Sequence, residues 1–129
     1  MAKNYNTKII QGLALDTNVI ETVCQSAVGK GEIVELSLVT GTCIFPTDND
    51  VQGPFVVAMG TYAAAIPGRY KIKGYVQAVC GTAVVASGLQ VTPMLNKGFA
   101  ERSAASSAGS FAVAMENGTS NWLSWINIL

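Results

Sequence analysis

Short apolar runs that end at glycine or proline recur along the chain, and no stretch keeps a helical period for more than a turn or two. Residues 33–39 (IVELSLV), 55–59 (FVVAM), 111–115 (FAVAM) and 122–129 (WLSWINIL) are the clearest runs. Runs of this length, separated by turn residues every ~8–12 positions, are typical of β-strands in sandwiches and barrels. The sequence therefore predicts an all-β fold, a small single-domain β-barrel or sandwich of jelly-roll or β-tulip-like type. The uninterrupted run at 55–59 predicts a strand buried on both faces.

The best alternation follows Pro67 and Gly68, which we expect at the two central positions of a turn over residues 65–68. One face of the predicted strand then carries three basic residues, Arg69, Lys71 and Lys73. The other face carries Tyr70, Ile72 and Val76. A period of two over this length predicts a half-buried strand.

The first 18 residues differ from the rest of the chain. They are polar, and their isolated apolar side chains do not alternate as a strand would; these are Tyr5, Ile9, Ile10 and Leu13. Terminal segments of this kind are often ordered only on a neighbouring surface, so we expect residues 1–18 to form an extended N-terminal arm. A length of 129 residues fits one domain, so residues 19–129 are expected to form a single β domain without an internal repeat.

The charge content points to assembly rather than to nucleic acid. Eight basic and eight acidic residues give a net charge of zero, which removes the electrostatic case for direct binding to nucleic acid or an anionic membrane. Charged residues make up only 12% of the chain, against roughly 25% in typical domains. We therefore expect that partners cover much of the surface and that serine, threonine, asparagine and glycine keep the rest of it soluble.

No segment of the sequence predicts a membrane span or a secretory signal. The two long uncharged stretches, residues 51–68 and 74–96, are interrupted by proline, glycine and glutamine, whereas a spanning helix needs about 20 mostly apolar residues. The apolar patch at residues 9–15 contains Gln11 and Gly12 and runs into Asp16, which does not fit a signal peptide. We expect synthesis in the cytoplasm.

The residue types needed for catalysis are scarce. Histidine is absent, which removes the usual general base and the commonest zinc ligand. None of the eight carboxylates lies in an apolar context that would tune its pKa. Residues 48–53 (DNDVQG) are similar to the first half of a calcium loop, but position twelve is Met59 rather than glutamate. We expect no enzyme, no cofactor and no metal, and three buried free thiols at Cys24, Cys43 and Cys80.

Three groups of residues are candidates for contacts with a partner protein. The first is the set of apolar arm residues given above, and the second is the basic set Arg69, Lys71 and Lys73, for which an ordinary solvated strand face is the alternative. The third is the pair Trp122 and Trp125. Tryptophan is enriched at interface hot spots, but burial of either ring in the core is equally open at this point.

The order of the segments resembles the family of small capsid decoration, or cement, proteins of tailed phages. Residues 29–34 (GKGEIV), 67–76 (PGRYKIKGYV) and 84–91 (VVASGLQV) are similar to its first three segments, and residues 109–116 (GSFAVAME) with 122–129 are similar to its closing hairpin. The resemblance implies a structural virion protein that forms a homo-oligomer, a dimer or a trimer, binds the outer capsid surface and cements neighbouring major capsid subunits.

The sequence departs from the family in two places. Residues 92–94 (TPM) replace an aromatic–acidic pair, and about 25 N-terminal residues match poorly.

Two other function classes remain open at this point. The first is a β-sandwich binding module, such as a head fibre or a carbohydrate-binding or adhesin domain, which needs an exposed aromatic platform. The available side chains, Tyr62, Tyr70, Tyr75, Trp122 and Trp125, share no obvious stripe. The second is a hydrolase with paired carboxylates, which the sequence favours least.

Overall fold

The computed structural model describes residues 18–37, 41–45, 54–81, 87–93, 98–102 and 111–129. These residues form two antiparallel sheets and no helix, as the sequence predicts. The first sheet contains β1 (Val19–Val23), β2 (Ile33–Leu36), β3 (Cys43–Ile44), β4 (Phe55–Ala58) and β5 (Pro67–Lys71). The second contains β6 (Gly74–Val79), β7 (Gln90–Pro93), β8 (Ala100–Arg102), β9 (Ala112–Ala114) and β10 (Leu123–Ile128).

The two sheets have the same strand order. It is β1-β5-β4-β2-β3 in the first sheet and β6-β10-β9-β7-β8 in the second. In each sheet a parallel bridge links the two edge strands, Cys24 to Cys43 in the first and Cys80 to Ala100 in the second. Each sheet therefore curls towards a barrel, which confirms the expected barrel or sandwich class.

The expectation of a chain without an internal repeat is wrong. The same strand order reflects a register that repeats after 56 residues: Glu21 pairs with Arg69 in β1–β5, and Gln77 pairs with Trp125 in β6–β10. Three pairs of backbone hydrogen bonds recur with that shift: Met59 N to Arg69 O and Met115 N to Trp125 O, Ala65 N to Cys24 O and Asn121 N to Cys80 O, and Ile66 N to Ala63 O and Trp122 N to Thr119 O.

Two short matches in the sequence carry the same shift. Residues 23–28 (VCQSAV) correspond to 79–84 (VCGTAV), and 55–59 (FVVAM) correspond to 111–115 (FAVAM). We call residues 18–73 the first repeat and residues 74–129 the second repeat. The hydrophobic periodicity of the sequence does not reveal this repeat, because only short strand segments match. The segments between the matching strands also differ in length by one residue.

The apolar residues form two cores, one within the first repeat and one shared by both repeats. The inner face of the first sheet forms one core with Val34, Val56, Ala58 and Tyr70. Its outer face contributes Ile33, Phe55 and Val57 to the other core, whose remaining members come from the inner face of the second sheet. Strand β4 thus has one face in each core, as the uninterrupted apolar run predicts.

Side-chain size on the two inner faces explains this arrangement. The positions of Val56 and Tyr70 in the first repeat are held by the smaller Ala112 and Ile126 in the second. The smaller side chains leave space over the second sheet, and the outer face of the first sheet fills it. Phe55 and Phe111, which occupy equivalent positions, meet edge to face with ring centroids 5.5 Å apart.

Two glycines let the repeats approach at the backbone level. Gly31 (φ +86°) accepts a hydrogen bond from Val79 N at 2.9 Å, and Gly98 (φ +70°) accepts one from Ile33 N at 2.6 Å. A Cβ atom at Gly31 would overlap Leu123, and one at Gly98 would overlap the Ile33 carbonyl. Both positions therefore need glycine for its positive φ and for its missing side chain.

The turn predicted over residues 65–68 is wrong in register. The left-handed residue is Ala65 (φ 61°), and both Pro67 and Gly68 lie in β5. Gly68 is required instead because the Tyr62 ring covers it. The positive φ in the equivalent turn of the second repeat belongs to Asn121 rather than to Gly118.

The strand predicted to continue to Val76 also ends early, at Lys71. Gly74 (φ +93°) turns the chain into the second sheet. Val76 therefore packs in the second core, whereas Tyr70 packs in the first.

The arm predicted for residues 1–18 lies outside the described residues except for Asn18, and so does the acidic segment 48–53. All three thiols are free and buried, as expected. Burial raises the pKa of the Cys43 thiol to about 12, and the neighbouring Cys24 adds to the rise. Burial also raises the pKa of Tyr70.

Replacing Ala65 should stabilise the protein, because a non-glycine residue without a polar side chain is strained at positive φ. Ala65→Asn, the residue at the equivalent position 121, should raise the free energy of unfolding by about 0.5–1 kcal/mol. Ala64→Asn in the same turn is the control and should give no gain. Urea unfolding measures both variants, and equal midpoints would contradict the assignment of strain to Ala65.

The raised pKa of the Cys43 thiol should lower the free energy of unfolding at high pH. Its pKa is raised in the folded state from an ordinary value of 9.0 to about 12, so above pH 9 the unfolded chain releases a proton that the folded chain keeps. The free energy of unfolding therefore falls as pH rises from 9 towards 12, by roughly 1 kcal/mol per pH unit from this group. Cys43→Ala, which copies Ala100 of the second repeat, should flatten the profile. Parallel profiles for both proteins would refute the role of Cys43.

Candidate binding surface

The structure divides the predicted basic set. Arg69 and Lys71 lie on one face of β5, and Arg69 is exposed directly opposite Glu21 of β1. Lys73 lies in the bend after the strand, so the prediction that it shares their strand face is wrong. Opposite charges across a ladder are a common, mildly stabilising feature of an exposed sheet face. This part of the surface therefore has the geometry of a solvated face.

Both tryptophans are exposed, which answers the question that the sequence leaves open. The Trp122 side chain is 70% exposed in the turn before β10, and Trp125 is 46% exposed in the middle of that strand. Strand β10 alternates strictly: Ser124, Ile126 and Ile128 point into the core, while Leu123 and Trp125 point outward. This strand therefore carries apolar side chains on both faces. The predicted arm contacts, Tyr5, Ile9, Ile10 and Leu13, lie outside the described residues.

Trp125 forms one wall of a groove on the outer face of the second sheet. Tyr75 of β6, 62% exposed, lies on the same face as Trp125, because Gln77 pairs with Trp125 and Tyr75 is two residues before Gln77. Met59, 39% exposed at the end of β4, completes the apolar rim. We call this feature the aromatic groove; its volume is about 210 Å³.

Polar groups and a buried floor complete the aromatic groove. Lys30 and Gln77 line it, and the buried Ala58 and Val76 lie at its base. Lys30 is the one charged residue among the described residues that line the groove. The groove therefore combines two aromatic surfaces with an amide and a positive charge.

The backbone under Trp125 is fixed on the side away from the groove. The Trp125 N–H donates to Glu116 Oε2 at 2.9 Å, and the Met115 N–H donates to the Trp125 carbonyl at 3.0 Å. Strand β9 has ended at Ala114, so the Glu116 carboxylate satisfies a donor that β9 does not reach. Glu116 thus has a structural role in holding Trp125 in place.

The first repeat carries different side chains at the positions that form the groove. There the equivalents of Tyr75, Gln77, Trp125 and Asn127 are Val19, Glu21, Arg69 and Lys71, in the same cross-strand register. The same fold is thus built with an aliphatic residue and a charged pair at these positions. The aromatic residues of the second repeat are not demanded by the sheet.

The view that the aromatic residues share no stripe is wrong for two of them. Tyr62 and Tyr70 pack together in the first core with centroids 5.7 Å apart, whereas Tyr75 and Trp125 share one exposed face. Aligning the two repeats would have found this pair, because it matches Val19 with Tyr75 and Arg69 with Trp125.

Within the described ranges, no three histidine, cysteine, aspartate or glutamate side chains come together as a possible metal site. In the same part of the chain, no helix has the length and apolar character needed to cross a membrane.

No protein-family model matches the sequence. A comparison with curated proteins gives no significant match either. Among solved structures, the N base of the head fibre protein gp8.5 of bacteriophage phi29 is similar, with a TM-score of 0.62 and 15% identity. The match covers 86% of this chain and 92% of the phage chain. This chain therefore shares its all-β fold with the base of that head fibre.

Proposed function

We propose that this chain is a non-enzymatic structural protein of a phage virion, which binds the outer capsid surface and cements neighbouring major capsid subunits. The observation that carries the proposal is the likeness to the phi29 head fibre base over 92% of that base. A shared fold alone does not determine function. The surface composition adds independent support, because a chain with 12% charged residues and a Trp122 side chain that is 70% exposed outside the groove is suited to a covered surface.

A cement protein needs only modest individual contacts. A homo-oligomer that touches several capsid subunits gains affinity from effective concentration once its first contact has formed. The exposed apolar residues at the ends of the second sheet, Leu89, Met115, Trp122 and Leu129, could each fill a small pocket on such a partner. In this proposal the protein is made in the host cytoplasm and ends on the capsid exterior, with no direct contact with nucleic acid.

The second candidate is the base of a head fibre, which anchors a projecting structure without tying capsid subunits together. The fold likeness favours it as strongly as the cement function. The two functions differ in one physical consequence. A cement protein links subunits and so opposes capsid disruption, whereas a fibre base occupies a site without bridging subunits.

Capsid melting separates these two functions. Particles that lack the protein should regain a melting temperature several degrees higher when the purified protein is added, because contacts that bridge neighbouring subunits must break before the capsid is disrupted, whereas a fibre base on one subunit stays bound after the subunits separate. Differential scanning calorimetry with co-sedimentation measures both effects. Binding without a change in melting would select the fibre base, and no binding would reject both functions.

The arm supplies a second prediction. Deleting residues 1–13 should leave the free energy of unfolding of the β domain unchanged and weaken particle binding by about tenfold or more. A length-preserving variant, Ile9→Ser with Ile10→Ser and Leu13→Ser, should have the same effect, whereas the polar control Asn4→Ser with Asn6→Ser should bind normally. A truncated protein that fails to fold, or that binds particles normally, would refute the arm.

A further inference from the structure

We propose that the aromatic groove is a carbohydrate-binding site that takes one acidic pyranose ring of a longer glycan. The site consists of Tyr75, Trp125, Met59, Gln77 and Lys30, all of which line the groove. It lies on the outer face of the second sheet. The proposal is independent of capsid attachment, since it depends only on the chemistry of this face.

The aromatic pair supplies the main recognition element. A pyranose ring presents an apolar face of C–H groups, which packs against the flat face of an aromatic side chain. Trp125 and Tyr75 offer two such surfaces from neighbouring strands, and each ring has few rotatable bonds, so little conformational entropy is lost on binding. The groove volume of about 210 Å³ suits one ring rather than an extended segment of protein.

The polar residues fit the hydroxyl and acid groups of a sugar. The Gln77 amide offers both donors and an acceptor on the same face as the two rings. Lys30 is exposed at the groove and provides a positive charge for a carboxylate or sulfate substituent. No acidic side chain is among the described residues of the lining, so the local charge favours an acidic ligand.

Comparison of the repeats shows that the groove is a departure from what the fold needs. The first repeat forms the same ladder with Val19, Glu21 and Arg69 where the second has Tyr75, Gln77 and Trp125. Tyr75 and Trp125 leave 62% and 46% of their surface in water, so a large part of each side chain adds no burial energy to the sheet. Their place on this one face is explained by a ligand.

A protein partner fits this face less well than a sugar does. The core of a protein interface is continuous and depleted of polar groups, and a specific interface covers about 800 Å² on each side. Here polar and aromatic positions alternate: Gln77 pairs with Trp125, and Asn127 pairs with Tyr75. The concave shape and the mixture of aromatic and polar groups are typical of small-ligand sites.

Isothermal titration of the full-length protein with tetragalacturonate, and with uncharged maltotetraose, tests the proposal. We expect saturable binding of tetragalacturonate and binding of maltotetraose about tenfold weaker. Trp125→Ala and Tyr75→Ala should each weaken tetragalacturonate binding by about tenfold or more. Lys30→Gln should reduce it to the level of maltotetraose. Trp122→Ala removes an exposed tryptophan outside the groove and should change nothing.

The sharpest variant transfers the surface of the first repeat onto the second. Tyr75→Val with Gln77→Glu and Trp125→Arg reproduces a combination that the same ladder already accommodates, so it should fold with an unchanged circular dichroism spectrum and bind no glycan. Normal glycan binding by this variant would overturn the proposal. So would the absence of saturable binding of tetragalacturonate to the native protein. Flat titrations together with loss of particle binding or of oligomers in this variant would assign the groove to a protein partner instead.

Discussion

The packing of the outer face of the first sheet onto the inner face of the second is the interaction on which the rest of the structure depends. Ile33, Phe55 and Val57 are nearly or fully buried there, and burial of each such side chain contributes about 1.5–3 kcal/mol. The contact needs small residues on the receiving sheet, which Ala112 and Ala114 provide. It also needs close backbone contact between the repeats, which the glycines at 31 and 98 allow. Without this contact the second sheet would lack a complete core, and the apolar outer face of the first sheet would be uncovered.

Because of this packing, the two repeats differ in which of their sheet faces are covered. In the first repeat the outer face around Phe55 is covered, so its residues must be apolar on both sides of β4. In the second repeat the corresponding positions are Phe111 and Val113, only partly buried, and Gln90 stands where the first repeat has Ile33. The stack of sheets therefore ends at the second repeat. Among the described residues no further sheet covers its outer face, and the aromatic groove lies on that face.

Local pattern in the sequence predicted the strands well, because alternation and uninterrupted apolar runs depend on burial alone. The double burial of residues 55–58 and the strand at the C-terminal apolar run are examples. Turn geometry was predicted less well. Pro67 and Gly68 indicate a turn by composition, but the crossing of the Tyr62 ring over Gly68 depends on packing between distant residues. Local pattern did not reveal the groove for the same reason: Tyr75 and Trp125 are 50 positions apart and meet only through the register of β6 and β10, so only a comparison of the two repeats marks their positions.

The repeat also shows which surface residues serve folding and which do not. Where both copies keep a feature, such as the bonds from Met59 and Met115 to the opposite strand, the fold requires it. The first repeat pairs Glu21 with Arg69, and the second pairs Gln77 with Trp125 at the equivalent positions. Because the strand ladder accommodates both pairs, the difference between them reflects requirements outside the sheet. By this criterion Arg69 opposite Glu21 represents an ordinary exposed ladder. The fold fixes the position of Trp125, because Glu116 accepts a hydrogen bond from its backbone N–H. The sheet does not require a tryptophan at this position, so the side chain serves a contact outside the sheet.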